Sequence, residues 1–199
     1  MDIIKYTHSC VRLEREGHGV LVIDPGIWSE PDALRGADAV VVTHEHADHV
    51  DALRLAGLGV PVYAPQGAVL PGLDAVEVGA GEEFTAAGYR ITAYGGRHAT
   101  IYGDQPDCAN LGYLVEGSLY HPGDSLHVPE VPVETLLVPL HASWMRTSEA
   151  IDFVREVGPE RAVGIHDAQV NERGLASVNG WLEEEARTAY RWLSPGSRL

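Results

Sequence analysis

His44-Glu45-His46-Ala47-Asp48-His49 gathers three imidazoles and an aspartate into one short run, directly after the apolar stretch Ala39-Val40-Val41-Val42 and Thr43. Neutral imidazole and carboxylate are good ligands for zinc and its neighbours. In an extended segment His44 and His46, two residues apart, face the same side. A helix beginning near Asp48 would present Asp48 and His49 from its first turn. One stretch could therefore supply two ligands to one ion and two to a second beside it. The alternative is a polar strand-to-helix loop with solvated histidines. It accounts poorly for so dense an H-x-H-x-D-H pattern, and further donors follow downstream.

The segment His44 to His49 resembles the signature of the metallo-β-lactamase-fold hydrolases, and the resemblance runs along nearly the whole chain. It implies a ligand histidine at His98, delivered after Gly95-Gly96 at the end of the run Arg90-Ile91-Thr92-Ala93-Tyr94. It implies a carboxylate bridging two ions at Asp124, in Pro122-Gly123-Asp124-Ser125, and a last ligand histidine at His166, after Arg161-Ala162-Val163-Gly164-Ile165. Asp24, at the break Asp24-Pro25-Gly26, reads either as a turn former or as a carboxylate orienting a metal-bound histidine through its other ring nitrogen. His8, in Thr7-His8-Ser9, resembles the Gly-His-Ser-like segment of the family's lactonase-like branch and is expected to line the site. That branch includes the L-ascorbate-6-phosphate lactonases.

The elements that must position these groups follow from the pattern. The fold expected is α/β: a four-layer αββα sandwich of two mixed sheets face to face with helices outside, as one domain over residues 1–199. Residues 2–24 read as three strands, and residues 31–36 as a short helical turn. Asp48 to Leu55 reads as a helix with Val50, Leu53 and Leu55 partly buried. Strands are expected at Pro61–Ala64, Val76–Val78, Glu83–Thr85 and Tyr89–Tyr94, a hairpin over Asn110–His121, and strands at Thr135–Leu140 and Arg161–Ile165. A helix opens near Thr147 and closes at Gly158-Pro159. The C-terminal stretch from about Gly174 to Trp192 is expected to be helical in its second half, with Trp181, Leu182, Ala186, Ala189 and Leu193 on one apolar face.

Composition narrows the function. A chain of 199 residues can bury a sizeable core without disulfides. Cys10 and Cys108 read as free thiols outside the ligand set. The start Met1-Asp2-Ile3-Ile4-Lys5 lacks the basic region and apolar core of a signal peptide, and no apolar run approaches a membrane span. A cytoplasmic protein with no membrane partner is expected. A net charge of -15 argues against a general nucleic-acid binder.

The assignment that satisfies spacing and resemblance puts His44, His46 and His98 on one ion and Asp48, His49 and His166 on the other, with Asp124 between. Two divalent ions are expected, zinc first, with manganese or iron as alternatives because the second set is oxygen-rich. Water shared between such ions loses its proton near neutral pH and becomes a nucleophile. The reading is a metal-dependent hydrolase cleaving an ester, lactone or phosphodiester-type bond of a small molecule. Asp48, His141 and His8 are its candidate catalytic groups. His141, at a strand end, could protonate the leaving group, although the Glu that follows it in the family's RNA-processing members is replaced here by Ala142. His121 and His127 are weaker candidates, and His18 reads as a turn residue. Two rival readings are a small-nucleotide phosphodiesterase or nuclease of the same fold and a non-hydrolytic metal-binding protein. A homo-oligomer is compatible with all of them.

Overall fold

A computed structural model describes residues 1–104 and 107–199. Strands β1 (Asp2–Lys5), β2 (Val11–Glu14), β3 (Leu21–Ile23), β4 (Ala39–Val41), β5 (Val62–Pro65) and β6 (Val76–Val78) form the first sheet. Strands β7 (Glu83–Ala86), β8 (Tyr89–Gly95), β9 (Leu111–Val115), β10 (Leu119–His121), β11 (Thr135–Pro139), β12 (Arg161–Ile165) and β13 (Ala189–Arg191) form the second. A last strand, β14 (Ser197–Arg198), returns to the first sheet and pairs antiparallel with β1, giving the order β14-β1-β2-β3-β4-β5-β6. The second sheet runs β13-β12-β11-β10-β9-β8-β7. Each sheet pairs antiparallel on one side and parallel on the other.

Side chains alternate between faces along each strand, and this sorts the apolar residues into three layers. Val11, Leu13, Leu21, Ile23 and Val41 meet Ile91, Tyr113, Val115, Leu137 and Val163 between the sheets. Leu136, Val138 and Ala162 point the other way, under α2 (Thr147–Val157) and α3 (Glu172–Glu185). Val22, Val40 and Val42 face outward under α1 (Ala52–Ala56) and the helical turn Pro31–Leu34. The result is the expected αββα sandwich, with few helices and a thin outer layer over the first sheet.

Three expectations are corrected. The helix after the histidine-rich stretch starts at Ala52, with the Asp51 carboxylate accepting from Arg54 N. Asp48 and His49 therefore come from the preceding turn, and Leu53 is 88% exposed. The helix near the C-terminus begins earlier and stops at Glu185. Ala189 then belongs to an edge strand, because β12 offers it a parallel partner. Trp181 on α3 is 53% exposed, so Val178 and Leu182 carry the buried face instead.

The topology brings one set of chain segments to one rim. The carboxyl ends of β3, β4, β8, β10, β11 and β12 open there, together with the turn between β1 and β2. Two bonds cross between the sheets at that rim, Leu111 N to Thr43 O (2.9 Å) and His166 N to His8 O (3.0 Å), and Ala99 N to Asp124 O (2.8 Å) ties the loops after β8 and β10 within the second sheet.

Candidate metal centre

Asp24, ending β3, is wholly buried and has a left-handed backbone (φ 51). Its Oδ1 accepts from Thr43 N (2.7 Å), and its Oδ2 accepts from Thr43 Oγ1 (2.6 Å) and His49 Nδ1 (2.7 Å). The same Thr43 hydroxyl lies 3.1 Å from His44 Nδ1. His98 Nδ1 donates to Ala99 O (2.6 Å), and His166 Nδ1 donates to His141 O. Four imidazoles are thus held by Nδ1–H on an oxygen, a bond that fixes the tautomer and leaves the Nε2 lone pair free.

Those Nε2 atoms converge. His49 and His166 Nε2 lie 3.1 and 3.2 Å from Asp124 Oδ1, and His98 Nε2 lies 3.2 Å from Asp124 Oδ2. Asp124 is itself fixed by Asn110, whose Oδ1 accepts from Asp124 N (2.9 Å) while its Nδ2 donates to Pro122 O (3.0 Å). Trp144 Nε1 donates to Asp124 Oδ2 (3.1 Å). The donor atoms of His44, His46 and His98 lie within 4.8 Å of one another. The same holds for His8, Asp48, His49 and His166, and for His44, His49 and Asp124. The seven residues expected as ligands thus lie close together in three overlapping groups, one of which also contains His8 and one of which joins His44 to His49 and Asp124.

The donor set fits a cation. His44 Nε2, His49 Nε2 and Asp124 Oδ1 are buried without a hydrogen-bond partner, although His49 Nε2 and Asp124 Oδ1 are close. Donor atoms of these three residues lie within 4.8 Å of one another, and buried polar atoms left without a hydrogen-bond partner suit ligation of a cation. Burial opposes charge on His49, but the Asp124 and Asp24 carboxylates outweigh it and hold its pKa well above the usual histidine value. Burial pushes His44 well down, reinforced by His49. Asp124 is held well below the carboxylate range because His49 and His166 outweigh its burial. Two buried carboxylates around one imidazole call for more positive charge.

His8 sits behind Asp48. Its Nδ1 accepts from Ala168 N (3.4 Å), so the proton is on Nε2, which donates to Asp48 Oδ2 (3.2 Å). Burial lowers the His8 pKa to about 4. Asp48 is lowered to about 2, the hydrogen bond from His8 and the charge of His49 overcoming burial. His141 is half-buried; its carbonyl orients His166, and its Nδ1 has no partner.

Over the cluster lies a cavity of about 80 Å³, lined among the described residues by His46, Asp48, His98, Ile101, Asp124, Ala142, Ser143, Trp144, His166 and Gln169. His141 is not in that lining. Ile101 lines the cavity, and Gln105 and Pro106 lie outside the described residues. A larger groove of about 310 Å³ contains Arg12, Arg35 and Arg198, but these already pair with Glu14, Asp32 and Asp2, and it shares no residue with the centre.

Sequence reasoning missed Asn110 and Trp144. The Cys108 Sγ lies 3.9 Å from His46 Nε2 but belongs to none of the clustered donor groups. A polar residue opening an apolar strand was a signal for Asn110; nothing local marks Trp144. His121 Nε2 donates to Ser9 O (2.9 Å) and its Nδ1 accepts from Gly123 N, so it supports the rim and does not face the cavity.

The fold and this cluster define a class. Residues 2–166 match the family model described as the Beta-lactamase superfamily domain, and the chain belongs to that superfamily. It is 38% identical to Protein Rv0786c of Mycobacterium tuberculosis, over 100% of this chain and 99% of that one. It is also 32% identical to a UPF0173 protein of Pyrococcus furiosus, over 86% of each chain, and is thus a UPF0173 family member. Other UPF0173 proteins, from Myxococcus xanthus and Cupriavidus necator, are named metal-dependent hydrolases. Among solved structures, Igni18, a metallo hydrolase from Ignicoccus hospitalis, shares the fold at TM-score 0.75 and 20% identity, covering 100% of this chain and 97% of that one. No helix among the described residues is long and apolar enough to cross a membrane.

Proposed function

We propose that the protein is a dinuclear metal-dependent hydrolase that cleaves an ester or lactone bond in a small molecule with an apolar body. The observation that carries this reading is the set of four imidazoles tethered through Nδ1 with Nε2 turned toward Asp124. His44, His46 and His98 would hold one ion, and Asp48, His49 and His166 the other, with Asp124 between; zinc is the first choice. Ions bound there supply an activated water and polarise the bond under attack. The chain supplies the rest. Trp144 and Asn110 hold Asp124 in place, and Asp24 holds His49 and Thr43. His141, next to the cavity-lining run Ala142–Trp144, is the candidate for protonating the leaving group.

Size and rim chemistry support the substrate class. A cavity of about 80 Å³ has room for only two or three waters at ~30 Å³ each. Most of a substrate must therefore lie outside it, across the rim. Among the described residues, exposed large apolar side chains close to this edge include Ile27 and Trp28, beside the His8 and Ala47 segments, Val69, whose N–H meets Glu45, and Ile101. A net charge of -15 further disfavours polyanions. The His8 segment and the Asp24-Pro25 step favour the lactonase-like branch.

The test combines metal content with turnover. Protein purified without chelators is assayed by elemental mass spectrometry, then offered p-nitrophenyl acyl esters of increasing chain length, aliphatic lactones and bis(p-nitrophenyl) phosphate. Two ions per chain, with kcat/KM rising with acyl length, is the expected result. Turnover of the phosphodiester alone would move the assignment to the nucleotide phosphodiesterase reading. Tight metal binding without turnover of any probe would point to a non-hydrolytic protein.

A further inference from the structure

The His8 turn is gripped by three successive residues that follow β12. His166 N donates to His8 O (3.0 Å), Asp167 Oδ1 accepts from His8 N (3.1 Å), and Ala168 N reaches His8 Nδ1 (3.4 Å). His8 and His166 both have left-handed backbones, with φ of 67 and 55. Non-glycine residues hold that conformation only where surrounding bonds over-determine it. Asp167 is the centre of those bonds. Its Oδ2 accepts from Lys5 Nζ (2.7 Å) and from Trp192 Nε1 (2.8 Å). The Lys5 side chain is 0% exposed, and its ammonium also donates to Tyr6 O (2.9 Å).

We propose that Asp167, held by Lys5 and Trp192, is a positioning residue of the metal centre that acts through His8 on Asp48. It rests on the two-ion reading. The logic is a chain of directed bonds. Asp167 fixes the His8 backbone, and Ala168 fixes the tautomer that leaves a proton on Nε2. That proton then orients the Asp48 carboxylate, one of the protein ligands of the second ion. A carboxylate free to rotate is a weaker ligand, and partners behind the ligands typically change metal affinity 10–100-fold. Among the described residues, none of these hydrogen bonds involves the first ion's histidines, His44, His46 and His98. Loss should therefore be confined to one of two ions, which a merely structural ion pair would not produce. Asp167 and Trp192 also lie beyond the segment that matches the superfamily model, so this support is built from the chain's C-terminal part.

The experiment is a competition titration of the metal-free full chain with zinc, repeated with cobalt for its absorption spectrum, on the wild type, Asp167→Asn and Trp192→Phe. Thermal unfolding of each metal-free form is measured alongside. For Asp167→Asn the expected result is a loss of tenfold or more in affinity for one of the two ions. Trp192→Phe should lose less, and the other ion should stay within twofold in both. The cobalt spectrum of the affected site should change and that of the other should not. Removing one partner of a buried ion pair can prevent folding. Should Asp167→Asn not fold, Trp192→Phe decides alone, because it leaves the ion pair in place. A lowered unfolding temperature with both affinities unchanged, or an equal loss at both ions, overturns the proposal. A wild type that binds fewer than two ions refutes the two-ion reading itself, in the control, and the proposal with it.

Discussion

Asp24→Asn isolates the tethering that the centre depends on. The carboxylate receives three donors on two oxygens: Thr43 N on Oδ1, and Thr43 Oγ1 and His49 Nδ1 on Oδ2. Alanine would orphan all three in a fully buried position, at about 1–3 kcal/mol each, and the chain would not survive it. Asparagine keeps the volume but has one acceptor. If its oxygen replaces Oδ2, the amide meets the Thr43 backbone N–H, which cannot turn away. If its oxygen replaces Oδ1, the amide meets the Thr43 hydroxyl, which can rotate, and His49 Nδ1, which becomes an acceptor by moving its proton to Nε2. The second arrangement costs less and removes the lone pair His49 would give a metal. The expected outcome is a folded variant with affinity for the second ion reduced about 10–100-fold, or about 1.4–2.7 kcal/mol. His44 shares the Thr43 hydroxyl, so the first ion weakens as well, but by less. Competition titration reads the affinities, and long-range proton–nitrogen NMR of the imidazoles reads the tautomer. A variant that keeps both ions within twofold, with His49 still protonated at Nδ1, would refute the reasoning.

Gly26→Ala should be among the most damaging single-methyl changes, because a Cβ there would stand 1.8 Å from the Asp48 carbonyl oxygen. The turn carrying Asp48 and His49 must shift, and equilibrium unfolding should show a loss of about 3 kcal/mol or more. Cys10 is buried, with burial driving its thiol well above the usual range, whereas Cys108 is partly exposed beside His46. Mass spectrometry after alkylation of the native protein should show Cys108 modified and Cys10 untouched, with zinc slowing the reaction at Cys108. Burial tends to raise the Glu30 pKa, but the bonds from Thr7 N (2.9 Å) and Thr7 Oγ1 (2.6 Å) outweigh it and hold the carboxyl below its ordinary value. A depressed folded pKa contributes stability above the unfolded pKa and loses it as pH falls through the folded one. Glu30→Gln should therefore cost about 1 kcal/mol at neutral pH, after allowance for its partial exposure. The gap to wild type should close on acidification in denaturant titrations.

Much of the centre was legible because its donors come at strand ends. His44, His98, Asp124 and His166 each follow an apolar run that has to be a strand, and the rim gathers where such runs end. The positions of Asp48 and His49 were harder. A short-period pattern cannot tell a helix's first turn from a tight turn before a helix, and Asp51 proved the better cap for α1. Trp144 and Asn110 gain their roles from residues far away in sequence, so no local pattern carries them. Ala189 joins β13 because β12 has a free edge, a fact of tertiary structure. Trp181 looked like the anchor of an apolar face, yet helix phase set by Val178 and Leu182 turns it outward.

The pairing of β14 with β1 has a consequence for synthesis. Ile4 aligns with Arg198 and Lys5 with Ser197, so β1 leaves the ribosome well before its partner, with all the other described strands made in between. Until then β1 presents an open edge, and such edges invite pairing between neighbouring chains. Contacts of long sequence separation also form slowly. Nascent chains, and copies shortened at the C-terminus, would carry the histidine cluster complete in sequence but with this seam unsealed. Their hazard is sticking to one another on a polysome, before catalysis is at issue.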